Sequence, residues 1–327
     1  MSKKNIAIIA GGDSSEYIVS LKSAQGVYSF IDKEKYNLSV VIIKKGDWHV
    51  ELGNDLTAPI DKNDFSFVLD GEKIRFDFAY ITIHGTPGEN GRLQGYFDVI
   101  GLPYSCCGVL AASLTFNKFI CNNYLKSMGI HVADSIRLVN NQLPAASEVV
   151  AQLGLPVFVK PNDGGSSFGT TKVKSREELL PSIQKAFEEG DEVIVESFMS
   201  GTEVTCGCYK IKGKEVIFPL TEVVSKNEFF DFEAKYNADK VEEITPARIS
   251  EELTKQIQQL TSRIYDLVGA KGIIRVDYII SPENEVRMLE VNTTPGMTAT
   301  SFIPQQVRAA GLDIKDVMTE IIENELT

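Results

Sequence analysis

Two apolar runs near the C-terminal end, Gly272–Ile280 and Val286–Val291, constrain the fold most, because paired apolar strands joined by a short polar turn have to be buried as a β-hairpin. The turn falls in Ser281-Pro282-Glu283-Asn284-Glu285. Each run also carries polar residues at alternate positions: Arg275 and Asp277 on the first, Glu290 and Asn292 on the second. Residues two apart on a strand share a face. A turn of the four residues Pro282–Glu285 pairs Ile280 with Arg287, Asp277 with Glu290 and Arg275 with Asn292, so three oxygen donors and one guanidinium meet on one side. An odd-length turn without a bulge would put Asp277 and Glu290 on opposite faces. A solvated face with cross-strand charge pairs is the alternative. The flanking Ile273, Ile274, Val276, Tyr278, Ile279, Met288, Leu289 and Val291 weigh against it. Like charges buried among such residues need a cation, and two carboxylates with an amide are hard donors suited to Mg²⁺ shared with substrate phosphates.

The chain has 327 residues, 43% of them hydrophobic, enough for more than one core. Its 33 basic and 45 acidic residues give a net charge of −12, a field that disfavours nucleic acid and anionic membrane surfaces as partners. The five cysteines, Cys106, Cys107, Cys121, Cys206 and Cys208, form no C-x-x-C pair. With three histidines there is no ligand set of zinc spacing. Thiols in a reducing cytoplasm are the simple reading. No run is long enough to span a bilayer. Lys3-Lys4 followed by Ile6–Ala10 begins like a signal peptide, but the apolar stretch ends at Gly11-Gly12 and reads instead as a buried first strand.

Strands at Asn5–Ala10, Leu38–Ile43 and Phe78–Ile83, with a helix from Glu16, predict an open, mostly parallel sheet. Ligands of such sheets collect at the carboxyl ends of the strands, where Gly11–Glu16 and His84–Gly95 fall. After Cys107 come helices near Val109–Leu114 and Asn117–Met128, then a Leu155–Lys160 strand, a Gly164–Gly169 loop and a helix capped by Ser175 and Glu178. Strands near Glu203–Ile211 and Glu215–Leu220 precede a polar stretch, Ser225–Thr245, of the length that functional lids have, and a helix over Glu251–Val268. Lys160 before the Gly164–Gly169 loop suits a phosphate cradle, although a plain surface turn fits those residues as well. There is no G-x-x-x-x-G-K-[ST] and no G-x-G-x-x-G. Taken alone, Glu16 reads as a favourable charge at a helix start and His84 as a structural histidine.

A set of motifs recurs in order: Gly11-Gly12-x-Ser14-x-Glu16, His84-Gly85-x-x-Gly88-Glu89-Asn90-Gly91, Lys160-Pro161 with Gly165-Ser166-Ser167-x-Gly169, Glu233-Ala234-Lys235-Tyr236, Arg275-x-Asp277, and Glu290-x-Asn292-Thr293-x-Pro295-Gly296-Met297-Thr298. Together they resemble the D-alanine–D-alanine ligases of the ATP-grasp superfamily, over nearly the whole chain. The resemblance implies an α/β protein, α+β in its ATP-binding part. A Rossmann-like N-terminal substrate domain would span 1–106, a central ATP-grasp subdomain 107–196, and a C-terminal subdomain with metal site and lid 197–327. It implies ATP-driven joining of two D-alanines through a D-alanyl phosphate, for peptidoglycan precursors, by a cytoplasmic homodimer.

The resemblance also implies roles. Asp277, Glu290 and Asn292 would hold two Mg²⁺ or Mn²⁺ ions, and Arg275 would stabilise the oxyanion. Lys118, Lys160 and Lys235 would contact phosphates, Glu196 the adenine and Glu203 the ribose, with Met199 also at the ATP and Ser166 and Ser167 on a glycine-rich lid. Glu16 would bind the first ammonium and link to Ser166 and Tyr236; His84 and Gly296 would line the first-substrate pocket, and Ser301 and Phe302 the second. Tyr236 favours an amine as second substrate; related ligases use D-lactate or D-serine there. Asn90 and Ser197 stand where the family pattern usually has Asp and Lys, and Pro103-Tyr104-Ser105-Cys106-Cys107 replaces the usual Pro-Tyr-Thr-Gly.

Overall fold

Ile6 to Ala10 are wholly buried because the Lys4–Gly11 strand lies between two parallel neighbours, Tyr36–Lys44 and Phe78–Ile81. These are the three expected strands. The computed structural model describes residues 3–139, 143–165, 168–225 and 241–326. The first sheet is completed by antiparallel Asp47–Gly53 and Leu56–Pro59 on one edge. Gly11 and Gly12 leave the first strand at φ +104° and +98°, and a Cβ on Gly11 would stand 2.4 Å from the Ile43 carbonyl oxygen. The sharp turn that delivers Glu16 to the start of the Tyr17–Phe30 helix therefore requires glycine.

A second, antiparallel sheet runs in the order Thr171–Val173, Val157–Pro161, Glu192–Ser197, Ser135–Val139. Leu138, Val149, Val159, Leu179, Ile183 and Val195 bind it to the helices Ala146–Leu153 and Arg176–Phe187. The expected cap at Ser175 is altered. Ser175 precedes the helix but makes no side-chain cap bond, and Glu178 accepts instead from the Lys174 N–H at 2.9 Å.

The third sheet runs Val241–Ile244, Thr221–Ser225, Thr202–Ile211, Ile273–Ile280, Val286–Asn292, with Lys214–Ile217 also pairing Thr202–Ile211. The polar stretch 225–245 thus begins and ends in paired strands, contrary to its reading as continuous loop; 226–240 lie outside the described residues. On one face Val204, Cys206, Cys208, Ile274, Val276 and Tyr278 pack with the Glu251–Val268 helix and with Ala111, Ala112, Cys121 and Leu125 of the helices Val109–Phe116 and Lys118–Ser127. The even-numbered residues of Ile273–Ile280 fill this core. The odd ones, Arg275 and Asp277 among them, point to the other side.

The hairpin register departs from the expected one in an informative way. Ser281 N–H donates to the Glu285 carbonyl at 2.9 Å, so the turn is the three residues 282–284, with Asn284 at φ +65°. Ile280 therefore pairs with Val286, Ile279 with Arg287 and Tyr278 with Met288, one residue out from expectation. The register then shifts: Asp277 pairs with Glu290, Val276 with Val291 and Arg275 with Asn292. Leu289 is the extra residue of a β-bulge. The odd turn and the bulge cancel, which brings Glu290 and Asn292 to the face that holds Asp277 and Arg275.

Candidate active site

On that face Arg275 grips Asp277 in a two-pronged ion pair, Nε to Oδ1 and Nη2 to Oδ2, both 2.8 Å. Asn292 Nδ2 donates to Asp277 Oδ2 at 3.1 Å. Burial works against the Arg275 charge, but Asp277, with Glu290 and Glu203, more than offsets it and holds the guanidinium firmly protonated. Arg275 Cζ lies 5.2 Å from the centroid of the Phe302 ring, a cation–π contact. Phe302 opens the Phe302–Ala309 helix, capped by Ser301. The Ser301 Oγ accepts from the Thr298 N–H at 3.0 Å. Among the described residues no three His, Cys, Asp or Glu side chains gather into a metal centre. The donor types present, two carboxylates and an amide beside a fixed guanidinium, would suit a hard divalent cation.

The second sheet brings its own charges to the cleft. Lys160 ends the Val157–Pro161 strand opposite Ile194 and forms a buried ion pair with Glu196 at 2.5 Å. Asn122 Nδ2 donates to the other Glu196 oxygen at 2.9 Å. Burial works against the Lys160 charge, while Glu196 and Glu290 outweigh it and raise its pKa. Lys118, first residue of its helix, donates from Nζ to the Gly164 carbonyl, so it touches the glycine-rich loop directly. Burial lowers the Lys118 pKa against the pull of Glu290. Met199 follows the Glu192–Ser197 strand, and Glu203 is the second residue of the Thr202–Ile211 strand, opposite Ile279.

The N-terminal sheet closes the third side. Glu16 and His84 are buried. Gly165 lies against Glu16, and a Cβ there would be 2.8 Å from Glu16 Oε2. His84 Nε2 shares a 2.9 Å hydrogen bond with Ser23 Oγ. Burial pushes the His84 pKa down and Arg275 adds to this, while Glu16 opposes it. Glu89 accepts from the Gly85 N–H at 2.6 Å. Burial, and then the nearby Glu16 carboxylate, push its pKa up to about 8. Gly296 approaches Ser301, whose Oγ a Cβ would meet at 3.1 Å. Asn90 keeps the local turn, accepting from the Arg92 N–H at 3.3 Å and donating to Thr86 Oγ1 at 2.9 Å.

Residues 5–107 match the pattern described as D-ala D-ala ligase N-terminus, and residues 124–323 match D-ala D-ala ligase C-terminus. The chain belongs to the D-alanine–D-alanine ligase family. It is 68% identical over 324 residues to a D-alanine–D-alanine ligase of Parabacteroides distasonis, covering 99% of this chain and 98% of that one. A D-alanine–D-alanine ligase of Bacteroides fragilis is 66% identical, with 99% of each chain covered. Among solved structures, the VanG D-Ala:D-Ser ligase from Enterococcus faecalis superposes with a TM-score of 0.88 at 32% identity, over 99% of this chain and 100% of that one. The D-alanyl-alanine synthetase A from Vibrio cholerae does so with a TM-score of 0.89 at 28% identity, over 100% and 99%. The fold is thus the ATP-grasp α/β architecture of this family.

Within that frame the structure links Arg275 and Asn292 to Asp277 and Lys160 to Glu196, and sets Glu290 within electrostatic reach of Lys118, Lys160 and Arg275, and Glu16 and Arg275 within reach of His84. Ser166, Ser167, Lys235 and Tyr236 lie outside the described residues. Three residues not singled out from sequence support the set: Glu89 beside Glu16, Asn122 on Glu196, and Ser23 on His84. Asn122 stands four positions after Lys118, on the same helical face, so helical spacing alone could have paired them.

Proposed function

We propose that the chain joins two D-alanine molecules into D-alanyl-D-alanine for peptidoglycan precursors, at the expense of ATP. Full-length identity of 68% to a relative of that name carries the reading. The single-faced set of Arg275, Asp277, Glu290 and Asn292 supports it. The first D-alanine docks with its ammonium on Glu16, beside His84 and Gly296. One of its carboxylate oxygens takes the γ-phosphoryl group, which releases ADP. The amine of the second D-alanine, seated at Ser301 and Phe302, attacks the acyl carbon. Its N–C bond forms and the nitrogen gives up a proton to solvent water. The C–O bond to phosphate then breaks. Arg275 faces the oxyanion that builds up between these steps. Lys118, Lys160 and Lys235 meet the phosphates, Glu196 the adenine and Glu203 the ribose, with Met199 also at the nucleotide. Asp277, Glu290 and Asn292 would hold two Mg²⁺ or Mn²⁺ ions, which when bound would supply positive charge for the phosphates. Ser166, Ser167 and Tyr236, which lie outside the described residues, take only the roles that the family resemblance implies.

The same reading divides the chain at 106 and 196, with the helices of 109–127 bridging to the third sheet. It places the enzyme in the cytoplasm; no helix among the described residues is long and apolar enough to cross a membrane. It makes the enzyme a homodimer. Val99 and Leu110, 86% and 80% exposed on contacting helices of the N-terminal half, offer an apolar face for the second copy. The deciding experiment is ADP release with D-alanine, L-alanine and D-lactate supplied in turn. Release with D-alanine alone, accompanied by dipeptide, is expected; release that is independent of D-alanine would overturn the reading. D-lactate or D-serine as second substrate is the less favoured alternative, since the D-Ala:D-Ser ligase is 32% identical.

A further inference from the structure

Among the described residues three buried side-chain polar atoms have no hydrogen-bond partner: Gln94 Oε1, Thr205 Oγ1 and Thr294 Oγ1. Thr205 is set apart by its place. It is 1% exposed and sits in the Thr202–Ile211 strand, directly opposite Asp277 on one side and Thr221 on the other. Asp277 is in turn opposite Glu290. Thr221, Thr205, Asp277 and Glu290 thus form one row across four strands, all on the face that carries Arg275 and Asn292.

Its neighbours are satisfied without it. Thr221 Oγ1 pairs with Thr245 Oγ1 at 2.7 Å and accepts from Gln306 Nε2 at 3.2 Å. Gln306, wholly buried, donates to the Thr205 carbonyl at 3.0 Å and accepts from the Gly207 N–H at 2.9 Å, but leaves the Thr205 hydroxyl alone. Asp277 takes its hydrogen bonds from Arg275 and Asn292. A buried hydroxyl without a partner costs stability that a valine of the same shape would not. The charged residue in register with it is Asp277, read above as a metal ligand and held in the free protein by Arg275 and Asn292.

We propose that Thr205 is a positioning residue of the metal–phosphate site: its hydroxyl, unpartnered in the free protein, would donate to the Asp277 carboxylate and steady it when Asp277 serves the metal–nucleotide. This rests on the reading of Asp277, Glu290 and Asn292 given under the proposed function. Removing such a partner behind a metal ligand typically weakens binding about tenfold or more.

The test needs no turnover. Free Mn²⁺ is followed by electron paramagnetic resonance as it is titrated into the full-length protein with ADP, for the wild type, Thr205→Val and Thr205→Ser. Thermal melting without metal is measured alongside. The expected result is a Mn²⁺ Kd raised about tenfold in Thr205→Val, near wild type in Thr205→Ser, with a metal-free Tm for Thr205→Val equal to or above that of the wild type. Wild-type Mn²⁺ affinity in Thr205→Val overturns the inference. So does a lowered metal-free Tm, which would make the hydroxyl an ordinary structural group. If the wild type itself takes up no Mn²⁺ with ADP, the metal reading of the site fails, and the inference with it.

Discussion

Glu89 shows how a single carboxyl can record the crowding of acids in the first-substrate pocket. Its pKa rises from 4.5 to about 8, through burial first and the charge of Glu16 second. The folded state therefore holds a proton that the unfolded chain releases. That contribution to stability is fully present below pH 4.5 and disappears as the pH climbs through about 8. Glu89→Gln keeps an acceptor for the Gly85 N–H and cannot ionise. Urea melts at pH 5 and pH 8.5 should show the wild type losing about 1–3 kcal/mol relative to the variant; the residue is partly open to solvent, which makes the figure smaller than the full shift implies. Parallel pH dependences would show that Glu89 ionises freely. The sequence carries Glu89 in plain view within Gly88-Glu89-Asn90-Gly91, yet nothing local marks it as perturbed. Its neighbour Glu16 comes from 73 positions earlier, brought close by the parallel pairing of Lys4–Gly11 with Phe78–Ile81.

At the scale of elements, strands such as Lys4–Gly11, Tyr36–Lys44, Phe78–Ile81, Val157–Pro161 and Ile273–Ile280 are legible as apolar runs of strand length, and Glu251–Val268 as a helix, whereas the more polar Asp47–Gly53, Leu56–Pro59 and Ser135–Val139 are not. Which residues of the hairpin share a face was legible too, but by a different route from the true one. Alternation identifies a face only where the ladder is regular, and no sequence signal announces the bulge at Leu289. The long-range pair of Lys160 with Glu196 and Asn122 was likewise hidden, since it depends on how a strand and a helix dock. The bulge makes a sharp prediction. Deleting Leu289 leaves Met288 opposite Tyr278 and Glu290 opposite Asp277, so ligase activity should fall by no more than about tenfold, and the fold should survive the loss of one partly buried side chain. Deleting Val291 instead moves Asn292 opposite Val276, into the apolar core, and should abolish nucleotide-dependent Mn²⁺ binding along with activity. Equal damage from the two deletions would mean that register is not what assembles the site.

On the scale of the whole molecule, the cleft exists because distant segments meet with almost no space between them. One core joins Ile6, Ile8 and Val27 of the N-terminal half to Tyr209, Ile273, Met297, Ile303 and Val317 of the C-terminal half. At its edge the Tyr17–Phe30 helix lies flush on the segment that carries Gly296. A Cβ on Gly26 would fall 1.9 Å from the Met297 carbonyl oxygen and 3.2 Å from the Thr298 Cα, both backbone atoms that cannot swing away. Gly26→Ala would gain roughly 1 kcal/mol of helix propensity. It would also force the helix and the 296–298 segment apart, an overpacking cost of about 1–3 kcal/mol. The same helix begins at Glu16, so the displacement separates Glu16 and His84 from Gly296. Since a shift of about 1 Å costs on the order of a hundredfold in such geometry, kcat/KM for D-alanine should drop by at least tenfold while the KM for ATP stays within about twofold. Gly46→Ala is the control: Gly46, unlike the helical Gly26, has a positive φ, +84°, but open space around it, and substitution there should cost local strain of about 1 kcal/mol and leave the kinetics unchanged. Steady-state kinetics on both variants decide the matter. If Gly26→Ala impairs ATP and D-alanine alike, the contact only holds the protein together and does not set the shape of the first-substrate pocket.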